Sequence, residues 1–321
     1  MKFVDLHCDT ILECTTRGAL LRENSCHIDI AKLKAGEALA QCFAIFVPTH
    51  STAENTGVKE TPYEYFQRSY GIFMREIEAN KDSIRQARCY DEIMENQKNG
   101  LISAVLTLED AVHLDGKIER VDELFEKGVR ISTFTWNYEN TLAYPCSREA
   151  EIMSKGLKPF GLEVLDRMNQ LGIVVDVSHL SDGGFWDVAK HTKQPFVASH
   201  SDARALCDAV RNLTDDMLKA LGEKGGVVGV NFLDMFLQRD AGGHTTIEMI
   251  VRHMLHLADK AGIAALAFGS DFDGIGSTLE FKDYSGMPEI ARALEKHFKP
   301  HEIDKICSGN ALRVFKECFK K

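Results

Sequence analysis

Phe3-Val4-Asp5-Leu6-His7-Cys8-Asp9 is the stretch whose reading decides the fold. It reads as a short buried strand that ends in His-x-Asp. Alternate side chains of a strand share a face, so His7 and Asp9 are expected side by side. An imidazole and a carboxylate converging at the end of a buried strand make half of a metal site. Short His-x-Asp matches also arise by chance. The weight of this one depends on whether later strands end in the same kind of residue.

They do. Working outward, the next apolar run is Leu39 to Val47, closed by Pro48. Ile102 to Leu108 delivers Glu109, and Val129 to Thr135 follows. Ile173 to Ser178 ends at His179, and Phe196 to Ser199 ends at His200. Gly226 to Val230 ends at Asn231, and Ala264 to Ser270 ends at Asp271. Between these runs lie segments of helical spacing: Pro62 to Ala79, Val121 to Lys127, Pro159 to Leu171 (stopped by Gly172) and Ile247 to Ala261. About eight buried strands separated by helices is the pattern of an α/β protein of the (β/α)8 TIM barrel type. No repeat or Pro/Gly-rich linker divides the sequence. Residues 1–321 are therefore read as one barrel domain, with a helical tail, Glu302 to Phe319, packed on its outside.

The chain has 321 residues, 44% hydrophobic and 27% charged, which suits a globular protein of this class. A net charge of −10 offers no basic face for nucleic acid or an anionic membrane. No apolar run is long enough to span a bilayer. The nine cysteines are scattered without CxxC pairs, unlike a disulfide framework or a zinc ribbon. The first strand starts at once and already carries Asp5, His7 and Asp9, so no secretory signal peptide is expected. A cytoplasmic, reduced protein is the simplest expectation.

Chemistry on such barrels sits where strands end at the C-terminal face. The strand ends here offer His7, Asp9, Glu109, His179, His200 and Asp271, all able to bind zinc or similar ions through nitrogen or oxygen. So many ligands exceed what one open tetrahedral ion needs, and a carboxylate such as Glu109 can bridge a pair. Two divalent ions carry about +4, which Asp9, Glu109, Asp271 and a bound hydroxide offset by about −4.

The sequence resembles the membrane (renal) dipeptidase family, within the wider amidohydrolase-type metal barrels. The matching segments are Asp5-Leu6-His7-Cys8-Asp9-Thr10, Leu108-Glu109-Asp110, Pro159-Phe160-Gly161 and Val175-Asp176-Val177-Ser178-His179. They continue with Ala198-Ser199-His200-Ser201, Arg211-Asn212, Gly269-Ser270-Asp271-Phe272-Asp273-Gly274 and Gly309-Asn310-Ala311-Leu312-Arg313. They keep their order from end to end. The resemblance implies a centre of two zinc ions, with other divalent metals open: His7 and Asp9 on one ion, His179 and His200 on the other, Glu109 between them. It implies that Asp271 takes a proton from the bridging water and hands it to the leaving amine, and that Arg211 grips the substrate carboxylate. A planar guanidinium with paired donors suits that task. The implied substrate is a small free dipeptide, with a D-residue tolerated at the C-terminal side, and the assembly is left open to a homodimer.

At one position the sequence departs from the family. Animal members carry a histidine after the fourth strand that helps stabilise the tetrahedral intermediate, whereas this chain reads Thr135-Trp136-Asn137. Trp136 is expected as a pocket wall, and either a metal ion or Asn137 must polarise the carbonyl oxygen. Asn231 is expected to line the pocket. His253 and His256 read as a solvated or capped helix face, Asp5 as either an outer partner of His7 or a hydrogen-bonded barrel carboxylate, and Asp273 as orienting its loop. Cys8 reads as core. Two other functions stay open: a related hydrolase such as an N-acyl amino acid deacylase, and a metal-binding protein without turnover. Arg211 does not exclude the first, and a proton carrier at Asp271 argues against the second.

Overall fold

Near-continuous runs of Val, Ile, Leu and Ala are what strands buried on both faces require, and each such run in this chain forms a strand. In the computed structural model, which describes residues 1–48 and 60–320, the strands are β1 (Phe3–Cys8), β2 (Ala38–Phe46), β3 (Ile84–Gln86), β4 (Ile102–Glu109), β5 (Val129–Thr133), β6 (Val174–Asp176), β7 (Val197–Ala198), β8 (Val227–Val230), β9 (His244–Thr245), β10 (Leu266–Phe268) and β11 (Thr278–Leu279). β1 pairs with β2 and β10, β2 pairs with β4, and the series runs on through β5, β6, β7 and β8 to β10, every pair parallel. Eight strands thus close into a barrel with helices around it, as the alternation of runs predicts. β3 is an addition that periodicity did not reveal. It lies along the start of β4 outside the ring, and of its three residues only Ile84 is fully buried. β9 and β11 pair with each other among the loops at the C-terminal end.

One buried cluster takes residues from all eight barrel strands: Val4 and Leu6, Ala40 and Cys42, Val105, Ile131, Val174, Val197, Val227 and Ala267. Only the barrel interior can bring these together. The two-residue period of a strand carries that orientation upward, so Glu109, Asn231 and Asp271 each stand four residues beyond an interior residue, Val105, Val227 and Ala267. β1 breaks the rule. With Val4 and Leu6 facing in, plain alternation would turn His7 away. The pairing register with β2 shifts between Asp5 and Cys8, and an irregularity of that kind re-aims a side chain.

The C-terminal segment differs from expectation. The helix Asn310–Cys318, entered through a π turn at Lys305–Gly309, does not lie on the outside of the barrel. It crosses the N-terminal ends of the strands and floors the interior. Asn310 Nδ2 donates to the carbonyl of Leu266 at 2.8 Å, Arg313 Nη1 to Gly225 at 2.6 Å, and Cys318 Sγ lies 3.9 Å from the carbonyl of Pro195. Val314, Phe315 and Phe319 complete the interior cluster. The apolar stripe was legible, but the surface it covers was not. The outer helices follow their spacing: Pro62–Ala79 starts at a capping box of Thr61 and Glu64, and Pro159–Leu171 ends at Gly172 with φ 85°. Among the described residues no helix is long and apolar enough to cross a membrane.

Candidate metal centre

Each strand end delivers its residue to one rim. His7 leaves β1 and Asp9 follows it, Glu109 closes β4, and His179, His200 and Asp271 stand just past β6, β7 and β10. His179 (φ 69°) and Asp271 (φ 60°) turn in the left-handed region, which non-glycine residues seldom enter. All six are brought together. Ligand atoms of His7, Glu109 and His200 lie within 4.8 Å of one another, as do those of His7, Asp9 and Asp271. His179 Nε2 is 2.9 Å from Glu109 Oε1 and 3.0 Å from His200 Nε2.

The two facing imidazole nitrogens are informative. His179 Nδ1 lies 3.0 Å from Asn137 Oδ1, and an amide oxygen only accepts, so Nδ1 carries the hydrogen and Nε2 presents a lone pair. His200 Nδ1 is engaged by Ser199 Oγ at 2.7 Å, which leaves its Nε2 facing the same point. Two imidazole nitrogens meeting at that distance suit ligands of one cation. His7 Nε2 and Asp9 Oδ1 are buried without a hydrogen bond. A Cβ at Gly274 would come within 2.2 Å of Asp9 Oδ2 and 2.4 Å of Asp271 Oδ1, so the rim is cut close around these oxygens.

Electrostatics point the same way. Burial, together with Asp9, holds the Glu109 carboxyl well above its ordinary range. Burial pushes Asp271 up to about 7, against the attraction of His7. Burial would lower His7, yet Asp9, Glu109 and Asp271 raise it to about 10. His179 and His200 are pushed well below 6.5, chiefly by burial. Three carboxylates largely removed from water thus draw chiefly on one imidazolium for compensation, with Arg211 acting on Glu109 as a lesser contribution. Nitrogen and oxygen donors with this deficit of positive charge fit a divalent cation.

Above this floor lies a cavity of about 210 Å³ whose apolar walls are Leu12, Phe46, Trp136, Leu233 and Phe236. Larger surface crevices of about 560 and 750 Å³ contain none of the six rim residues. Trp136 packs edge-on against Phe46, with ring centroids 4.9 Å apart, and so forms a wall. Its loop is pinned by Asn140, which donates to Asp110 Oδ1 at 2.9 Å and to the Phe134 carbonyl at 2.7 Å. Arg211 is buried behind His200: Nη2 donates to the His200 carbonyl at 3.1 Å, Nη1 to Ser201 Oγ at 3.3 Å, and Nε has no partner. Asn231 is fully buried and bonds to Asp271 rather than opening onto the cavity.

The remaining candidates resolve individually. Asp5 accepts from Ser270 N at 2.8 Å and Ser270 Oγ at 2.7 Å, tying the strand that carries His7 to the one that carries Asp271. Asp273 accepts from Thr10 Oγ at 2.7 Å and orients its loop. Cys8 is core. His253 is buried, not solvated, and sits 2.9 Å from the Leu237 carbonyl, while His256 pairs with Asp215 at 2.7 Å. Sequence reasoning missed Ser199, Asp110, Asn140, Gly274, Phe46 and Phe236. The quoted segments contained Ser199, Asp110 and Gly274, but only contacts across the chain reveal what they touch.

The family described as "Membrane dipeptidase (Peptidase family M19)" matches residues 1–320. The chain belongs to this family. A protein of Klebsiella pneumoniae described as an uncharacterized protein in the pqqA 5' region is 32% identical over 269 residues, covering 81% of this chain and 98% of that one. An uncharacterized dipeptidase of Schizosaccharomyces pombe is 30% identical over 299 residues, covering 91% and 72%. The crystal structure of a metallo peptidase from Rhodobacter sphaeroides, liganded with a phosphinate mimic of the dipeptide L-Ala-D-Ala, superposes with a TM-score of 0.89 at 25% identity over 99% of both chains. The dipeptidase described here is accordingly a metallodipeptidase of the amidohydrolase-type barrel, acting on a small peptide.

Proposed function

We propose that this dipeptidase uses two zinc ions to hydrolyse free dipeptides, including those with a D-residue at the C-terminal side. The observation that carries the reading is the pair of ligand groups at one rim, His7 with Glu109 and His200 and His7 with Asp9 and Asp271, beside which His179 Nε2 stands 2.9 Å from Glu109 Oε1. In this reading His7 and Asp9 would hold one ion and His179 and His200 the other, with Glu109 open to both. Bound there, divalent ions supply an ionised water near neutral pH and polarise a peptide carbonyl.

The chain's own residues do the rest. Asp271 accepts the proton that water loses on attacking the carbonyl carbon. As the C–N bond breaks it returns that proton to nitrogen, so peptide and water become two amino acids and the carboxylate ends as it began. Arg211 holds a free C-terminal carboxylate through its guanidinium. Trp136 stands as a wall where animal relatives have a histidine, and Asn137, which lines the cavity, also steadies His179. The L-Ala-D-Ala mimic bound to the Rhodobacter sphaeroides relative supports the D-residue. The nine unpaired cysteines support a reducing, cytoplasmic setting.

Metal content per chain, measured with hydrolysis of L,L and L,D dipeptides and their N-acyl counterparts before and after chelation, tests the proposal. Two zinc ions per chain and chelator-sensitive cleavage of free dipeptides are expected. Preference for the N-acyl compounds would instead make the enzyme a deacylase, and a metal-free active protein would end the reading.

A further inference from the structure

Asp271 has two oxygens, and the structure treats them differently. Oδ2 accepts a hydrogen bond from Asn231 Nδ2 at 2.9 Å. Oδ1 faces the rim, 3.9 Å from His7 Nε2 and beside the space above Gly274. The Asn231 amide cannot be turned the other way round. Its Oδ1 accepts from the backbone N–H of Leu233 at 2.6 Å, and a backbone nitrogen only donates, so the oxygen must point there and the NH₂ must point at Asp271. Asn231 itself is fully buried, with no water to compete for its donor.

From this we infer that Asn231 is a positioning residue that holds the Asp271 carboxylate with Oδ1 toward the reacting groups. Oδ2 is engaged by the Asn231 NH₂, whose own oxygen is held by Leu233, so Oδ1 is the oxygen left facing the rim. Oδ1, the oxygen that faces the reacting groups, is thus the one placed to exchange a proton with the reacting water and with the nitrogen of the breaking C–N bond. The bonds that break are the peptide C–N bond and an O–H bond of water, and C–O and N–H bonds form, so atoms and protons balance as in the hydrolysis itself. The contact also holds the plane of the carboxylate, since a single amide joins it to the loop that begins at Leu233. This inference rests on Asp271 being the proton carrier of the proposed reaction.

Two variants test it. Asn231→Leu removes the donor with little change of size. Asn231→Asp keeps an acceptor for the Leu233 N–H, and so preserves the loop if the leucine variant folds poorly. Each is assayed with a dipeptide and with the matching depsipeptide, whose ester oxygen leaves without needing a proton as nitrogen does. The expected result is a kcat on the dipeptide lower by about 10-fold or more, a smaller loss on the ester, KM within about twofold and unchanged metal content. A crystal structure of Asn231→Leu should show the Asp271 carboxylate turned out of its plane. Equal losses on amide and ester, a change confined to KM, lost metal, full activity, or an unmoved carboxylate would each overturn the assignment. Failure of the unmodified enzyme to cleave any dipeptide would instead sink the functional reading, which that control shows separately.

Discussion

Gly274 and Asp271 show how little freedom single residues have at the rim. A methyl group at position 274 would meet Asp9 Oδ2 at 2.2 Å and Asp271 Oδ1 at 2.4 Å, and neither carboxylate can retreat without leaving the cluster. Gly274→Ala is expected to weaken metal binding by about 10-fold or more, as displaced partners of metal ligands do. Competition against a chelator measures this, and parental affinity would contradict it. Asp271→Asn keeps the size of the side chain but cannot shuttle a proton. It should retain metal while kcat falls by about 10² to 10⁴-fold, and metal analysis beside turnover checks both halves. At this scale the sequence was informative where a residue's type declares its chemistry, as with His7 or Glu109. It placed Asn231 at a strand end as a pocket residue but not its contacts, since that amide acquires its meaning only from Leu233 on one side and Asp271 on the other.

Among the elements, the helix Asn310–Cys318 matters most beyond the barrel strands. Phe315 is fully buried in the interior cluster and stacks on Phe319, with centroids 4.5 Å apart. Phe315→Ala would leave a hole beneath all eight strands and should cost about 3–5 kcal/mol of stability. The shift of the urea midpoint, at unchanged slope, reports it; a shift below about 1 kcal/mol would mean that the floor repacks. Local periodicity located the helices Pro62–Ala79, Pro159–Leu171 and Ile247–Ala261 well, because a 3.6-residue stripe and its caps are properties of neighbouring residues. It did not locate β3 or show that the tail closes the barrel floor. Three residues are too few to display a period, and what a stripe packs against is not written in the stripe.

At the scale of the whole molecule, the crowding of charge couples stability to pH and to metal. Without metal, His7 is held at about 10 when folded against 6.5 ordinarily, so the folded chain binds more protons than the unfolded one and loses stability as pH rises through that window. Asp271, raised from 3.8 to about 7, acts in the same direction between those values. His179 and His200, held well below 6.5, have the opposite sign, but their effect is complete once pH exceeds 6.5. The chelated protein should therefore show a falling Tm from about pH 6.5 to about pH 8.5, below the range where unfolded thiols ionise fully. The metal-loaded protein should resist this decline, because metal displaces those protons and binds more tightly as pH rises. Thermal scans of both forms across that range decide it, and a chelated Tm that is flat or rising would refute the account.

The amino-acid sequence by itself determined the alternation of buried strands and amphipathic helices, the residue types at the strand ends, and through them the membership of a metal-dependent barrel family. These follow from short-range pattern and side-chain chemistry. Tertiary structure alone decided that six residues drawn from positions 7 to 271 meet at one rim, that a register shift turns His7 inward, and that the C-terminal helix seals the opposite end. Those facts depend on where closing a ring of strands places distant segments, and no local feature of the chain encodes a distance.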